Sequence, residues 1–194
     1  MSQKKILIIL GNPKTKSFCR SLAEAYEIGA RQGGAEVRLL DLRKLKFDPI
    51  LWEGYAKEQE LEPDLQNAQK LILWAEHLVI AFPVWWSSMP ALLKGFFDRV
   101  FLPGFAFDFR PDNPLWKKHL KGRSAHVIIT MGSPYLIYRT LFGKATHRAM
   151  INGILKFCGI SPVRSTTISY VEDMAQEERE AFLRELEDKG KEFY

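Results

Sequence analysis

The sequence predicts an α/β domain, a five-stranded parallel sheet with helices on both faces. Three observations predict it. Five short apolar segments alternate with longer segments of helical period, from Lys5 to the end of the chain. No two of those segments are joined by a hairpin signature, so neighbouring strands need crossover connections and run parallel. The run from Leu78 to Phe82 is apolar without interruption, as a strand buried on both faces requires.

Taken in order, Lys5 to Leu10 (KILIIL) is the first strand, ended by the turn cluster Gly11, Asn12 and Pro13. Ser17 stands where it caps a helix from Phe18 to Gln32, which stops at Gly33 and Gly34. Val37 to Leu40 is the second strand, and the irregular stretch Asp41 to Tyr55 is expected to lay Phe47, Pro49 and Trp52 over a sheet edge. Between Pro63 and Glu76, Leu65, Ala68, Leu71, Ile72 and Ala75 recur at helical spacing. The third strand, Leu78 to Phe82, ends at Pro83, which has no backbone donor. Ser87 or Ser88 is then expected to cap a helix from Pro90 to Phe101, with Leu92, Leu93, Phe96, Phe97 and Val100 on its apolar side. Leu102 to Arg123 reads as a long loop whose aromatics and prolines point to a functional or partner-facing role. Ala125 to Met131 is the fourth strand, Leu141 to Cys158 a helix, Val163 to Tyr170 the fifth strand and Ala175 to Phe193 the last helix. The flavodoxin-like order 2-1-3-4-5 is expected rather than the six-stranded dinucleotide-binding order.

Composition bounds the function. A chain of 194 residues, 46% hydrophobic and 26% charged, has an ordinary globular balance and fits one domain spanning 1–194. Its formal charge is +5, yet Lys and Arg are dispersed with acids between them, so nucleic acid is not the expected partner. A mildly positive field equally attracts phosphate-bearing cofactors. The apolar block Ile6 to Leu10 is shorter than the ~7–15 residues of a secretory core, and no run reaches the ~18 of a membrane span. A cytoplasmic protein without membrane insertion is expected. Cys19 and Cys158 stand apart, with no metal-ligand spacing, and read as reduced structural thiols.

In an open α/β sheet, ligands bind beyond the carboxyl ends of strands, so three loops compose the candidate site. Gly11 to Ser17 brings Lys14, Lys16 and the Ser17 hydroxyl to a helix N-terminus, where free N–H groups favour a phosphate. Taken alone, this loop reads rather as a helix cap with solvated lysines. Pro83 to Ser88 supplies Trp85 and Trp86, of which at least one is expected at a site because adjacent tryptophans at a strand exit face different ways. Met131 to Tyr138 follows Thr130 and offers Gly132 for close backbone approach, with Ser133, Tyr135 and Tyr138 as hydrogen-bonding groups. Jointly the loops point to a flat cofactor with a phosphate arm. The first loop is neither GxGxxG nor GxxxxGK[ST], and there is no GxSxG elbow, which argues against a Rossmann dinucleotide site, nucleotide hydrolysis and α/β-hydrolase chemistry. His77, His119, His126 and His147 lack metal spacing, so no metal is expected, and His77 and His126 read as structural.

The segments FPVWWSSMPALLKGFFDRVFLPGFAF (Phe82 to Phe107), NPKTKSF (Asn12 to Phe18), TMGSPYLIY (Thr130 to Tyr138) and GILKFCGI (Gly153 to Ile160) resemble the NAD(P)H:quinone oxidoreductase family of flavodoxin-like flavoproteins. The resemblance runs from the first strand to about Tyr170 and implies a bacterial-type member. It implies a two-electron quinone reductase in which NADPH or NADH gives hydride to flavin N5, leaves, and is replaced by a quinone in the same space. FAD is the implied cofactor, with FMN as the alternative.

Position by position, the resemblance gives Ser17 and Phe18 to the pyrophosphate loop, with Asn12 where a histidine often stands. Pro83, Val84, Trp85 and Trp86 would border the isoalloxazine, and Thr130, Met131, Gly132 and Ser133 would bond its N1/O2 edge. Tyr138 matches a tyrosine that assists hydride transfer, and Lys144 occupies the place of that tyrosine's histidine partner, with His147 one turn on. Trp86 and Ser87 would line the acceptor pocket, Ser87 replacing an aromatic and Ser133 a second glycine. Phe107, Phe109 and Phe157 match aromatics that roof the site from a second subunit, implying a homodimer. A second reading is a regulatory flavoprotein subunit of a potassium-efflux antiporter.

Overall fold

In the computed structural model, residues 3–110 and 113–193 are described. The chain runs β1 (Lys5–Leu10), α1 (Phe18–Gln32), β2 (Glu36–Asp41), α2 (Pro63–Trp74), β3 (His77–Pro83) and α3 (Ala91–Val100). It continues through β4 (Phe107–Arg110), β5 (Asn113–Lys118), β6 (Ser124–Thr130), α4 (Tyr135–Thr140), α5 (Ala145–His147), a π-helical stretch Arg148–Lys156, β7 (Val163–Ile168) and α6 (Gln176–Lys191). The main sheet has the order β2-β1-β3-β6-β7 and every pairing in it is parallel. With the β4–β5 hairpin set aside, this is the expected flavodoxin-like 2-1-3-4-5.

Alternation along each strand divides the core in two. Leu7, Ile9, Leu78, Ile80 and Phe82 pack with Leu65, Ile72, Leu93, Phe96 and Val100 of α2 and α3. Ile6, Ile8, Leu10, Val79 and Ala81 pack on the other face with Leu22 and Tyr26 of α1 and Leu186 of α6. Gly29 and Gly190 let α1 and α6 touch backbone to backbone: a Cβ on Gly29 would sit 1.8 Å from the Glu187 carbonyl oxygen. Under the sheet, His77 lies 3.2 Å from Tyr26 Oη and 2.7 Å from Ser124 Oγ, and His126 Nε2 lies 2.9 Å from Thr166 Oγ1. Both histidines are structural, and burial holds the His77 pKa down at about 3.

Several expected elements are corrected. The stretch Leu102 to Arg123 is not a loop throughout: β4 and β5 pair antiparallel, Phe107 opposite Lys118 and Asp108 opposite Lys117. A strand period shows only in Phe107 and Phe109, and residues 111 and 112 between the strands lie outside the described ones. Neither Ser87 nor Ser88 caps α3, because both are used in a turn; Pro90 takes the cap position without a side-chain bond. The helix expected from Leu141 begins earlier, at Tyr135, and is broken where Gly143 and Lys144 take left-handed φ of 56° and 55°. Trp52 does not pack: it is 67% exposed, its Nε1 donating to Asp48, whereas Phe47 packs against Phe96.

Candidate functional site

The loops after β1, β3 and β6 converge at the carboxyl edge of the sheet. They line a cleft of about 330 Å³ with Asn12, Lys14, Lys16, Ser17, Phe18 and Cys19, with Pro83, Val84 and Trp85, and with Thr130, Met131 and Gly132. Backbone bonds fix the three loops to one another. Gly11 N–H donates to the Ala81 carbonyl at 2.9 Å, Val84 N–H to Thr130 at 2.7 Å, and Met131 N–H to Ile168 at 2.9 Å. The buried Asn12 side chain shapes the first loop by accepting the Lys14 N–H at 3.0 Å. Ser17 Oγ accepts from Arg20 N–H at 3.2 Å, which leaves the first-turn N–H groups of Phe18 and Cys19 facing the cleft end of α1. Lys14 and Lys16 add positive charge to that helix end. Burial pushes the Cys19 thiol up to about 12, so it lines the cleft as an inert apolar group.

Among the described residues, no acceptor engages the Gly132 or Ser133 N–H, and both residues are exposed. Gly132 lines the cleft, as Trp85 does, whereas Ser133 lies just past its lining. Trp85 is 40% exposed and borders the cleft, whereas Trp86 is fully exposed and stands outside it. The cause is the backbone. Trp85 and Ser88 exchange both N–H···O bonds at 2.9 Å, closing a two-residue turn in which Trp86 and Ser87 hold φ of 51° and 54°. Such a turn favours Asn and Gly, and each non-glycine residue there costs roughly 1 kcal/mol or more. Thr146, itself fully buried, donates its hydroxyl to the Ser87 carbonyl at 2.7 Å.

Tyr138, Lys144 and His147 lie behind the cleft rather than in its lining. Tyr138 is 1% exposed, its Oη is 2.9 Å from His147 Nδ1, and it accepts the His147 backbone N–H at 3.3 Å. The hydroxyl is assigned as the donor to Nδ1. His147 is then assigned the Nε2–H tautomer, donating to Thr167 Oγ1 at 2.8 Å. Burial, with the Lys144 charge adding to it, lowers the His147 pKa and so favours the neutral ring. Lys144 itself points its ammonium over the Tyr135 ring, 5.4 Å from the centroid, and only its backbone meets Tyr138. Phe107, Phe109 and Phe157 gather elsewhere, in a cleft of about 280 Å³ with Tyr55, Lys94 and Phe97. Phe157 stacks on Trp116, at a centroid distance of 4.3 Å, and meets Phe107 edge-on.

A family model described as flavodoxin-like fold matches residues 4–189. The chain belongs to the flavodoxin-like fold family. Within this family it is 33% identical over 163 residues to an uncharacterized NAD(P)H oxidoreductase of Haemophilus influenzae, covering 81% of this chain and 79% of that one. It is 29% identical to the human ribosyldihydronicotinamide dehydrogenase [quinone], covering 92% of this chain and 86% of the relative. A crystal structure of a Streptococcus mutans protein, 32% identical, superposes with a TM-score of 0.83 over 97% of this chain and 99% of the other. The flavodoxin-like resemblance read from the sequence motifs therefore holds for fold and family, and relatives bear the oxidoreductase and quinone names.

Sequence reasoning missed Val171 and Glu172, from the segment before α6, and Arg179, from its first turn, which also line the cleft. The Arg179 guanidinium lies 4.9 Å from the Phe18 ring centroid and donates to the Val171 and Met174 carbonyls. Arg179 looked like one more surface charge in an acidic helix, and no local signal separates it. An adjoining cleft of about 530 Å³ shares Lys16, Ser17, Phe18 and Arg179 and extends over Arg20, Gln176 and Leu183. Among the described residues, no helix is long and apolar enough to cross a membrane.

Proposed function

We propose that this protein is a flavin-dependent NAD(P)H dehydrogenase acting on quinones by two-electron, ping-pong hydride transfer. One observation carries the reading: a single cleft joins N–H groups at a helix N-terminus and the Gly132 amide, all without an acceptor among the described residues, with two lysines and an indole wall. The residues fit a flavin. A bound flavin supplies a ring that takes hydride from NADPH or NADH and passes two electrons to an acceptor.

The protein's own groups do the rest. Phe18 and Cys19 N–H, with Lys14, Lys16 and Arg179, hold a phosphate arm. The contiguous second cleft gives that arm room to continue, which favours FAD over FMN. Trp85 and Pro83 flank the ring plane, and the Gly132 N–H faces its polar edge, where negative charge grows on reduction. Tyr138 and His147, in the helices that follow the Gly132 loop, share a proton between Oη and Nδ1. The lack of a GxGxxG fingerprint in the first loop is in keeping with donor and quinone entering the same cleft in turn. Phe107, Phe109, Phe157 and Tyr55 form an apolar surface on which Phe109 is 64% exposed, suited to roof the cleft of a second copy in a homodimer.

The test is direct. Purified protein is expected to be yellow or to become so on incubation with FAD, to release that flavin on denaturation, and to oxidise NADPH in the presence of menadione. Protein that takes up neither FAD nor FMN and leaves NADPH unoxidised overturns the reading.

A further inference from the structure

Two strained segments meet at one hydroxyl. Trp86 and Ser87 both sit in the left-handed region, where neither has the freedom of glycine, and Lys144 two residues before Thr146 does the same. The turn at Trp86 is closed by its own pair of backbone bonds between Trp85 and Ser88. The turn is flanked by Val84, bonded to Thr130, and by the buried Met89, and among the described residues one side chain reaches it from outside: Thr146, fully buried, whose Oγ1 donates to the Ser87 carbonyl at 2.7 Å. The next residue is His147, held by Tyr138 and Thr167.

We propose that Thr146 is a positioning residue: its hydroxyl latches the Trp85 to Ser88 turn to α5, so that the indole wall of the cleft and the Tyr138–His147 pair are set as one unit. A left-handed Trp–Ser turn relaxes when nothing outside it holds the central carbonyl. Its relaxation swings Trp86 and shifts Trp85, which borders the cleft. The latch is a statement about the fold; its consequence for turnover rests on the quinone reductase reading above.

Thr146→Val keeps the shape of the side chain and removes the donor, Thr146→Ser keeps the donor, and Ser87→Gly gives the turn a residue at ease with positive φ. Amide hydrogen exchange on the whole protein, with no dependence on activity, reads the latch. The Ser88 amide, which donates to Trp85, is expected to exchange about ten-fold faster in Thr146→Val, within two-fold of wild type in Thr146→Ser, and slower again in Thr146→Val/Ser87→Gly than in Thr146→Val. The KM for menadione is expected to rise about five-fold in Thr146→Val and to return in Thr146→Ser. Unchanged Ser88 exchange in Thr146→Val, or a Thr146→Ser protein as loose as Thr146→Val, overturns the latch. Faster exchange with an unchanged KM overturns the positioning role alone. Should Thr146→Val fail to fold, the Thr146→Ser and Ser87→Gly proteins decide: wild-type exchange in the first and slower exchange in the second support the latch, and any other pair overturns it. If no variant and no wild-type protein reduces menadione, the functional reading falls while the exchange result stands.

Discussion

The Tyr138 hydroxyl faces His147 Nδ1 at 2.9 Å and at the same time accepts the His147 backbone N–H at 3.3 Å. One oxygen therefore fixes both the ring and the main chain of the histidine. Tyr138→Phe removes the proton donor to Nδ1 and strands a buried N–H, which costs about 1–3 kcal/mol of stability. The rate of flavin reduction by NADPH in the pre-steady state is expected to fall ten-fold or more, with flavin affinity within about two-fold of wild type. Flavin bleaching at an unchanged rate removes Tyr138 from the chemistry.

His77 gives stability a pH dependence whose sign follows from burial. The folded ring titrates at about 3 and the unfolded ring near 6.5, so in that window the unfolded chain binds the extra proton. Stability from this group is complete above pH 6.5 and declines as pH falls, by at most ~1.4 kcal/mol per unit. The groups around the ring are Tyr26 from α1, Ser124 and His126 from β6, and the charges of Lys4 and Arg164. His77→Gln does not titrate, so urea unfolding of the variant is expected to vary less between pH 5 and 7 than that of wild type. Equal slopes refute the assignment.

Much of the fold was legible because its signals are local. KILIIL and HLVIAF need no partner to read as buried strands, and Ser17 capping α1 is a short-range rule that the structure obeys. Loops that follow such strands must emerge at one sheet edge, so the grouping of Asn12, Trp85 and Gly132 was readable from order alone. What escaped depends on long-range geometry. Arg179 reaches the cleft only because α6 packs across α1 through Gly29 and Gly190, a contact that no spacing announces. The hairpin β4–β5 was hidden by prolines and by charges among its aromatics, and the break at Gly143 and Lys144 by an unbroken apolar period on either side. Likewise, the position of Trp86 outside the cleft follows from a left-handed turn that its residue types disfavour.

Arg99 is fully buried, and it holds the segment before α2 in place. Its guanidinium pairs with the Glu62 carboxylate at 2.9 Å and donates to the Asp48 and Glu60 carbonyls at 2.5 and 2.9 Å. Arg99→Met fills the space but leaves those acceptors without their donor, and a loss of roughly 3 kcal/mol is expected in urea unfolding. Because Tyr55 rides on that segment and lines the aromatic cleft, protease cleavage between residues 48 and 62 is expected to accelerate as well. A variant as stable and as resistant as wild type refutes this role.

Arg179 separates phosphate binding from ring binding. Its guanidinium spans Phe18 and the Val171 carbonyl beside the N-terminus of α1, the end of the cleft proposed for the phosphate, whereas Trp85 and Gly132 line the part proposed for the ring. Arg179→Ala is expected to weaken FAD about ten-fold and riboflavin, which has no phosphate, by less than two-fold. The difference between the two ligands should shrink in 0.5 M salt for wild type, since it is largely the attraction of a partly exposed cation for an anion. Thermal unfolding separates this from general damage, as the variant keeps every contact between α1 and α6 made through Gly29 and Gly190. An equal loss for FAD and riboflavin would place Arg179 at the ring rather than the phosphate, and no loss for either would exclude it from the site.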